Sequence, residues 1–461
     1  MKTLMLGWEY PPHISGGLGT ACQGLTTALA KLGVKIDFVI PKVEGDEHAE
    51  HMAIIDPASA THLNMPDMNG TQNNHDKQGM LAGPSTTTTV NKTARNIRFV
   101  EIPANLYPYA MPNKKYSYVE HFKSISKEIV LPAQITEILE RAAEQAPDFP
   151  NYNGDLFAEV DRYTKNVIKM AGNSFFDIIH AHDWMTFPAG IALSRLTGVP
   201  LVTHVHSLEH DRSGDNVNEH IHIIERSGVE NAHTVIAVSY YTRSVINQQH
   251  GIPLDKIAVV HNGVYSKEVV QSYKKEKCAK PKIVLFLGRI TFQKGPDYFV
   301  EAAAKVIPAM PDVTFVMAGT GDMLNPLINR VTDLGLEKHF VFTGFLKGEE
   351  VERMFSVADL YVMPSVSEPF GITPLEAMNH DVPVIISKQS GVSEILKNAL
   401  KIDYWDVDKL AHLIISVLKY PEVREDIATM AREEVRRIRW EAAAEKVFQL
   451  YCKILGATAP V

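Results

Sequence analysis

Short apolar runs recur along this chain, each closing on a glycine, histidine or proline-rich turn and followed by a stretch with helical spacing. A first series reads TLMLG (Thr3 to Gly7), DIIHAH (Asp177 to His182), VPLVTHVH (Val199 to His206), TVIAVS (Thr234 to Ser239) and KIAVVHNG (Lys256 to Gly263). A second series reads KIVLFLGR (Lys282 to Arg289), VTFVMAGTG (Val313 to Gly321), DLYVMPS (Asp359 to Ser365) and VPVIIS (Val382 to Ser387). Strands alternating with helices in this way make parallel sheets. The pattern therefore predicts an α/β protein of two doubly wound, Rossmann-like domains facing a central cleft.

The 461 residues suit that division, since domains run to about 100–200 residues each. A first domain is expected over 1–265, a polar, lysine-rich linker over 266–281 (SKEVVQSYKKEKCAKP from Ser266), and a second domain over 282–438. A last helix from Trp440 to Leu455, within a terminal segment 439–461, is expected to pack back on the first domain. Residues 56–96, rich in Asn, Thr, Gly and Met, follow neither helical nor strand period and read as a surface insertion. Helical segments are expected around Ile125 to Gln145 and Leu156 to Gly172. In the helix after the first strand, Ala21, Leu25, Ala28, Leu29 and Leu32 share one face.

A net charge of −8 gives no overall attraction for nucleic acid or anionic lipid, so any polyanion has to be met by a local basic site. Cys22, Cys278 and Cys452 are odd in number and far apart, which supplies no disulfide framework and suits a reducing compartment. The opening apolar run ends at Gly7, too soon for a signal peptide, and no run of about 18 apolar residues could span a membrane. A cytoplasmic protein is expected, of undetermined oligomeric state.

Ligands of open parallel sheets bind beyond the carboxyl ends of the strands, so the residues closing each run are the candidates. Gly16, Gly17 and Gly19 precede the first helix in EYPPHISGGLG, where free amides and the helix dipole favour an anion, although the glycines also suit a tight turn alone. Neither a Walker lysine nor GxGxxG spacing is present. Arg289 and Lys294 flank ITFQ just before Gly295-Pro296 opens a helix. Two cations at a positive helix end call for an anion such as a diphosphate leaving group, the alternative being solvated surface charge. Glu368 and Glu376 stand eight residues apart around a Gly-Ile-Thr-Pro helix start. Glu376 would either bind ligand or close a capping box with Thr373 as N-cap, whereas Glu368 has no such structural task and suits gripping hydroxyls. His180 with His182, and His204 with His206, alternate along strands and face one side, but no zinc-site spacing accompanies them and no metal is expected. His220 and His222, two apart in a helical stretch, diverge. Asp406-Val-Asp408 precedes a helix that Asp408 is expected to cap.

Together these motifs resemble the retaining GT-B glycosyltransferases, in particular glycosyltransferase family 4 and the related glycogen and starch synthases. The resemblance runs nearly end to end: EYPPHISGGLG, HAHDW at His180, VSYYTRS from Val238, VHNGV at Val260, GRITFQKG at Gly288, AGTGD at Ala318, FTGFL at Phe342, and E-x7-E from Glu368 to Glu376. It implies that the first domain is the acceptor side and the second binds a nucleotide sugar. Gly16 and Gly17 would cradle the diphosphate from one side, and Arg289 and Lys294 from the other. Glu368 would contact the sugar hydroxyls, and Glu376 the ribose. The amides of Gly371, Ile372 and Thr373 would lie near the phosphate, His182 beside the sugar, and the base near Thr343 and Phe345.

The resemblance also implies no metal or other cofactor. One departure stands out: bacterial glycogen synthases carry K-x-GGLG where this chain has HISGGLG, so the phosphate contacts and the base preference differ. THVHSLEHDRSGDNVN (Thr203 to Asn218) looks like the acceptor loop of α-glucan synthesising members. Transfer of glucose from UDP- or ADP-glucose to the non-reducing end of an oligosaccharide or glycogen is thus the implied reaction. The alternatives are a family 4 transferase with a sucrose-phosphate-type, lipid or small-molecule acceptor, and a nucleotide-sugar epimerase.

Overall fold

The computed structural model describes residues 1–11, 17–41, 52–55, 97–101, 156–171, 174–265 and 281–457. The insertion at 56–96, the linker at 266–280, the helical segment at 125–145, Cys278 and Gly16 lie outside them.

Two parallel sheets account for every apolar run named above. The first comprises β1 (Lys2–Leu6), β2 (Lys35–Ile40), β3 (Met52–Ile55), β4 (Ile97–Glu101), β5 (Ile178–His182), β6 (Leu201–Val205), β7 (Thr234–Ala237) and β8 (Ile257–Val259), in the order β3-β4-β2-β1-β5-β6-β7-β8. The second comprises β9 (Lys282–Leu287), β10 (Val313–Ala318), β11 (Phe340–Gly344), β12 (Leu360–Met363), β13 (Val384–Ser387) and β14 (Leu400–Ile402), in the order β11-β10-β9-β12-β13-β14. The chain is thus a two-domain α/β protein. Strand β2 escapes the apolar-run pattern because Asp37 interrupts it; the carboxylate is buried and held by Lys2 Nζ at 3.1 Å.

The order of strands decides where a ligand fits. In the first sheet it reverses between β1 and β5, and in the second between β9 and β12. At such a switch point the connecting segments leave in opposite directions and open a crevice at the carboxyl ends of the strands. The residues delivered there are those following β1, β5, β9 and β12, which include His182, Arg289, Lys294 and Glu368.

Three helix ends differ from expectation. The first helix, Gly17–Lys31, buries Ala21, Leu25, Ala28 and Leu29, but stops before Leu32, which is 39% exposed; the chain turns away at Gly33, where φ is 82°. Asp408 does not cap helix Val407–Lys419: Asp406 does, its carboxylate accepting from the Lys409 amide at 3.0 Å, while Asp408 pairs with Lys305. Helix Thr373–Asn379 begins one residue earlier than expected, with Ile372 at its N-cap and no side-chain cap, so the Thr373–Glu376 capping box does not form.

The helix Trp440–Ile454 returns from the second domain and packs on Gly17–Lys31. Its Trp440 indole occupies the space a side chain at residue 24 would need: a Cβ on Gly24 would lie 2.1 Å from Trp440 Cε2. Ala443, Ala444, Val447 and Tyr451 continue the contact into the core beneath β1 and β2, and Lys31 pairs with Glu441 at 2.8 Å. Among the described residues, no helix is long and apolar enough to cross a membrane.

Trp440 is 2% exposed, so Trp440→Ala leaves a cavity under the first helix and is expected to cost about 3–5 kcal/mol in urea unfolding. A loss below about 1 kcal/mol would mean that the terminal helix does not hold the first domain together.

Candidate active site

On the first-domain side, β5 and β6 run side by side with His182 opposite His204, and strand alternation turns four imidazoles to one face. They stack: ring centroids are 4.4 Å apart for His180 and His182, and 4.2 Å for His204 and His206. His182 Nδ1 meets His206 Nε2 at 2.9 Å, His180 Nε2 meets His204 Nδ1 at 3.2 Å, and His180 Nδ1 meets the Tyr451 hydroxyl at 2.5 Å. Burial is the main reason that protonation is disfavoured throughout. It holds His180 and His206 down to about 3 and His182 and His204 well below the usual imidazole range. The stack is therefore neutral at pH 7. His182 Nε2 is buried without a hydrogen-bond partner.

Asp183 follows at φ 59°, a left-handed conformation that a non-glycine residue holds only when its surroundings impose it. Its carboxylate accepts from the His206 amide at 2.7 Å and the Ser207 amide at 3.4 Å. Burial still pushes the carboxyl up to about 7. The HAHDW motif contained this residue, but the strain that singles it out is visible only in the backbone.

Gly17 opens the first helix with open space around its Cα, and the Gly19 amide donates to Glu9 Oε1 at 3.2 Å. A carboxylate thus already sits at this helix end, as the dipole favours. Thr20 from the same turn faces Glu376, Asn379, His380 and Tyr265 across a shared cleft. The glycine turn and the second glutamate, distant in sequence, are brought together.

On the second-domain side, Lys294 Nζ and the buried Glu368 carboxylate form an ion pair. Arg289 Nη2 donates to Gln293 Oε1 at 3.2 Å, and the Val366 amide donates to Gln293 O at 2.9 Å, tying the cation turn to the loop after β12. That turn passes so close to the loop that a Cβ on Gly295, which has φ 60°, would lie 2.2 Å from Pro364 O. Glu368 is clamped through its backbone, donating to Gln389 O and accepting from the Gly391 amide, each at 2.9 Å. Gly371, at φ 99°, then redirects the chain through Ile372 and Thr373 into the short helix that carries Glu376. Thr343 and Phe345 lie at the end of β11, two strands from β9 at the sheet edge, where Lys347 Nζ stands 5.9 Å from the Phe345 ring.

Several side chains that join the two domains were not anticipated. Ser367 Oγ donates to Asp211 Oδ1 at 2.6 Å and lies 2.8 Å from the Tyr241 hydroxyl. Glu394 accepts from the amides of Tyr240 and Tyr241 at 2.9 and 2.6 Å, capping helix Tyr240–His250 from the opposite domain, and meets His261 Nε2 at 2.9 Å. A Cβ on Gly391 would lie 2.5 Å from Ser239 Cβ. These partners are separated by more than 100 residues in sequence, so no local pattern announces them.

Cations and a carboxylate thus gather at the second switch point and imidazoles at the first. Residues 270–434 match the family described as Glycosyl transferases group 1, and residues 136–267 match Glycosyltransferase Family 4. An uncharacterised glycosyltransferase of Methanocaldococcus jannaschii is 27% identical over 98% of both chains. The glycogen synthase of Mycobacterium tuberculosis is 23% identical over 98% of this chain and 94% of its own. The alpha-maltose-1-phosphate synthase of Mycolicibacterium smegmatis is 31% identical over 60% of this chain and 79% of its own. Among solved structures, sucrose-phosphate synthase from Thermosynechococcus elongatus superposes with a TM-score of 0.67 at 18% identity, covering 99% of this chain and 100% of that one. Anabaena HepE in complex with UDP-glucose gives 0.63 at 17%, covering 98% and 100%. The chain belongs to glycosyltransferase family 4 and has the GT-B fold.

The histidine stack makes stability depend on pH. Between about pH 3 and 6.5 an unfolded chain protonates these rings while the native stack stays neutral, so the unfolded state binds more protons and stability falls on acidification. Asp183, raised to about 7, Glu225, raised to about 8, and Asp211 and Asp297, both raised by burial, act in the opposite sense, but the lowered histidines, His210 and His250 together with the four of the stack, outnumber them. Urea unfolding is expected to give a lower free energy at pH 5 than at pH 7.5; a constant or rising value would mean that the rings are charged in the native state.

Proposed function

We propose that the protein is a retaining glucosyltransferase that moves glucose from UDP- or ADP-glucose to the non-reducing end of an α-1,4-glucan. The observation that carries the donor half of this reading is the Lys294–Glu368 ion pair beside Arg289 at the second switch point. A cation and a carboxylate in contact can divide the donor between them. Lys294 turns to the diphosphate together with Arg289, and Glu368 is released to the sugar hydroxyls.

In the reaction the bond from C1 to the diphosphate oxygen breaks while a bond from C1 to the acceptor hydroxyl oxygen forms on the same face. The departing phosphate takes the electron pair, and a phosphate oxygen takes the acceptor proton. Fixed positive groups lower the barrier most where this charge develops. Arg289 and Lys294 hold it from the second domain, and the amides from Gly16 and Gly17 hold it from the first. The neutral His182 offers its unpartnered Nε2 to the sugar. Glu376 holds the ribose, and the Gly371 to Thr373 amides lie near the phosphate. The base stacks near Thr343 and Phe345. No metal enters the transfer, and the buried free thiols Cys22 and Cys452 suit a reducing cytoplasm.

The glucan acceptor rests on the likeness to glycogen synthase along nearly the whole chain and on the loop from Ser207 to Asn218. That loop buries Glu209 and Asp211 and faces the cation turn, where a Cβ on Gly214 would lie 3.2 Å from Phe292. A second acceptor class, a small phosphorylated sugar, is favoured by the likeness to alpha-maltose-1-phosphate synthase and by the sucrose-phosphate synthase fold.

Incubation with nucleotide sugars, with and without glycogen, maltooligosaccharides, glucose 1-phosphate or fructose 6-phosphate, separates these by product mass. Glucan elongation is expected; product only with a sugar phosphate would replace the glucan reading. Lys294→Ala should lower kcat by about 100-fold or more, as loss of a fixed charge at a developing anion does, with an unchanged melting temperature. Near-normal turnover would remove Lys294 from the diphosphate site. Glu376→Ala is expected to raise the donor KM with little change in stability, and the reverse pattern would assign the carboxylate to the helix alone.

A further inference from the structure

Behind the acceptor loop, outside the cleft, His222 and Glu225 stand three residues apart on helix Glu219–Asn231, and His250 ends helix Tyr240–His250. Residues at this spacing share a helix face. One donor atom from each of the three lies within 4.8 Å of the others. Glu225 is 1% and His250 4% exposed, yet Glu225 Oε2, both nitrogens of His250 and His222 Nδ1 are buried without a hydrogen-bond partner. His250 Nε2 stands 3.8 Å from Glu225 Oε2, too long for a hydrogen bond. The His222 and His250 rings lie stacked, with centroids 4.6 Å apart. Buried polar atoms are ordinarily satisfied, and a cluster of orphans this close together marks a place for something that accepts their lone pairs.

We propose that His222, Glu225 and His250 bind a divalent transition-metal ion, zinc by the chemistry of the set, as a structural cation distinct from the transfer site. Two imidazoles and a carboxylate are a zinc donor set, and tetrahedral bonds of about 2.0–2.1 Å put donors about 3.3 Å apart, a modest contraction from the present spacing. The outer shell is already built. Glu225 Oε1 accepts from the Glu209 amide at 2.8 Å and from Arg212 Nη2 at 2.9 Å, which fixes the carboxylate with Oε2 towards the histidines; such partners orient metal ligands. The partly exposed His210 ring stands 5.5 Å from His222.

The ion would tie the two helices together. Through Arg212, which also pairs with Glu209 at 3.1 Å, it would steady the segment that presents Asp211 to Ser367 of the other domain. His220 turns to Phe157, with ring centroids 5.6 Å apart, and so diverges from His222, whose neighbours are Glu225 and His250.

The test uses the full chain without a polyhistidine tag, stripped with a chelator and titrated with Zn²⁺ in competition with a chromophoric chelator, with melting temperature and bound metal followed together. One equivalent bound with a rise of several degrees in melting temperature is expected. His222→Ala and His250→Ala should each weaken binding at least tenfold. His222 is only partly buried, so its variant keeps the test informative should removal of the His250 ring impair folding. Absence of binding by the wild-type chain would overturn the proposal, and so would unchanged binding by His222→Ala, which would put the ion elsewhere. Neither result bears on the donor or acceptor.

Discussion

The ion pair between Lys294 and Glu368 is the contact around which the cleft is organised. Glu368 is 7% exposed, and a carboxylate that far from water is tolerated only beside a cation and with its loop held firmly. The structure supplies both. Lys294 sits at the end of a turn locked to Pro364 by the close approach at Gly295, and the Glu368 backbone is stitched to Gln389 and Gly391. The same stitching sets Gly391 against Ser239 and places Ser367 on Asp211. The strand order that creates the crevice, the loop that fills it and the contact between domains therefore share one short stretch of chain.

Electrostatics differs sharply between the walls. The second domain offers fixed charge in a protein whose net charge is −8. The first offers four neutral imidazoles and Asp183, a carboxyl pushed up to about 7. Uncharged rings on this side do not compete for the phosphate, which is the division of labour proposed for transfer. Tyr451, on the helix that returns from the second domain, donates to or accepts from His180. The terminal helix thus reaches the base of the stack as well as the hydrophobic core.

Much of the fold was legible because a buried parallel strand needs apolar residues on both faces and leaves its polar residues at its ends. That is why the runs closing at His182 and Arg289 located both walls. Strands β3 and β4 lie in a stretch of mixed composition, and Asp37 hid β2. Helix ends differ from expectation by one or two residues: Asp406 and Asp408 compete to cap one helix, and at Ile372 no side chain caps the other. The site was legible where chemistry follows a strand directly, as at Lys294 and Glu368. It was not legible for Asp211, Tyr241 and Glu394, whose roles come from the opposite domain, nor for Glu225 and His250, joined only by helix packing.

The central claim is that the cleft binds a nucleoside diphosphate chiefly through its phosphates, and calorimetric titration with UDP and ADP against uridine and adenosine tests it most directly. At low salt, at least one diphosphate is expected to bind more than 100-fold tighter than its nucleoside, with the difference shrinking as ionic strength rises. Equal affinity of nucleoside and diphosphate, or a difference insensitive to salt, would contradict an anion site built on Arg289 and Lys294.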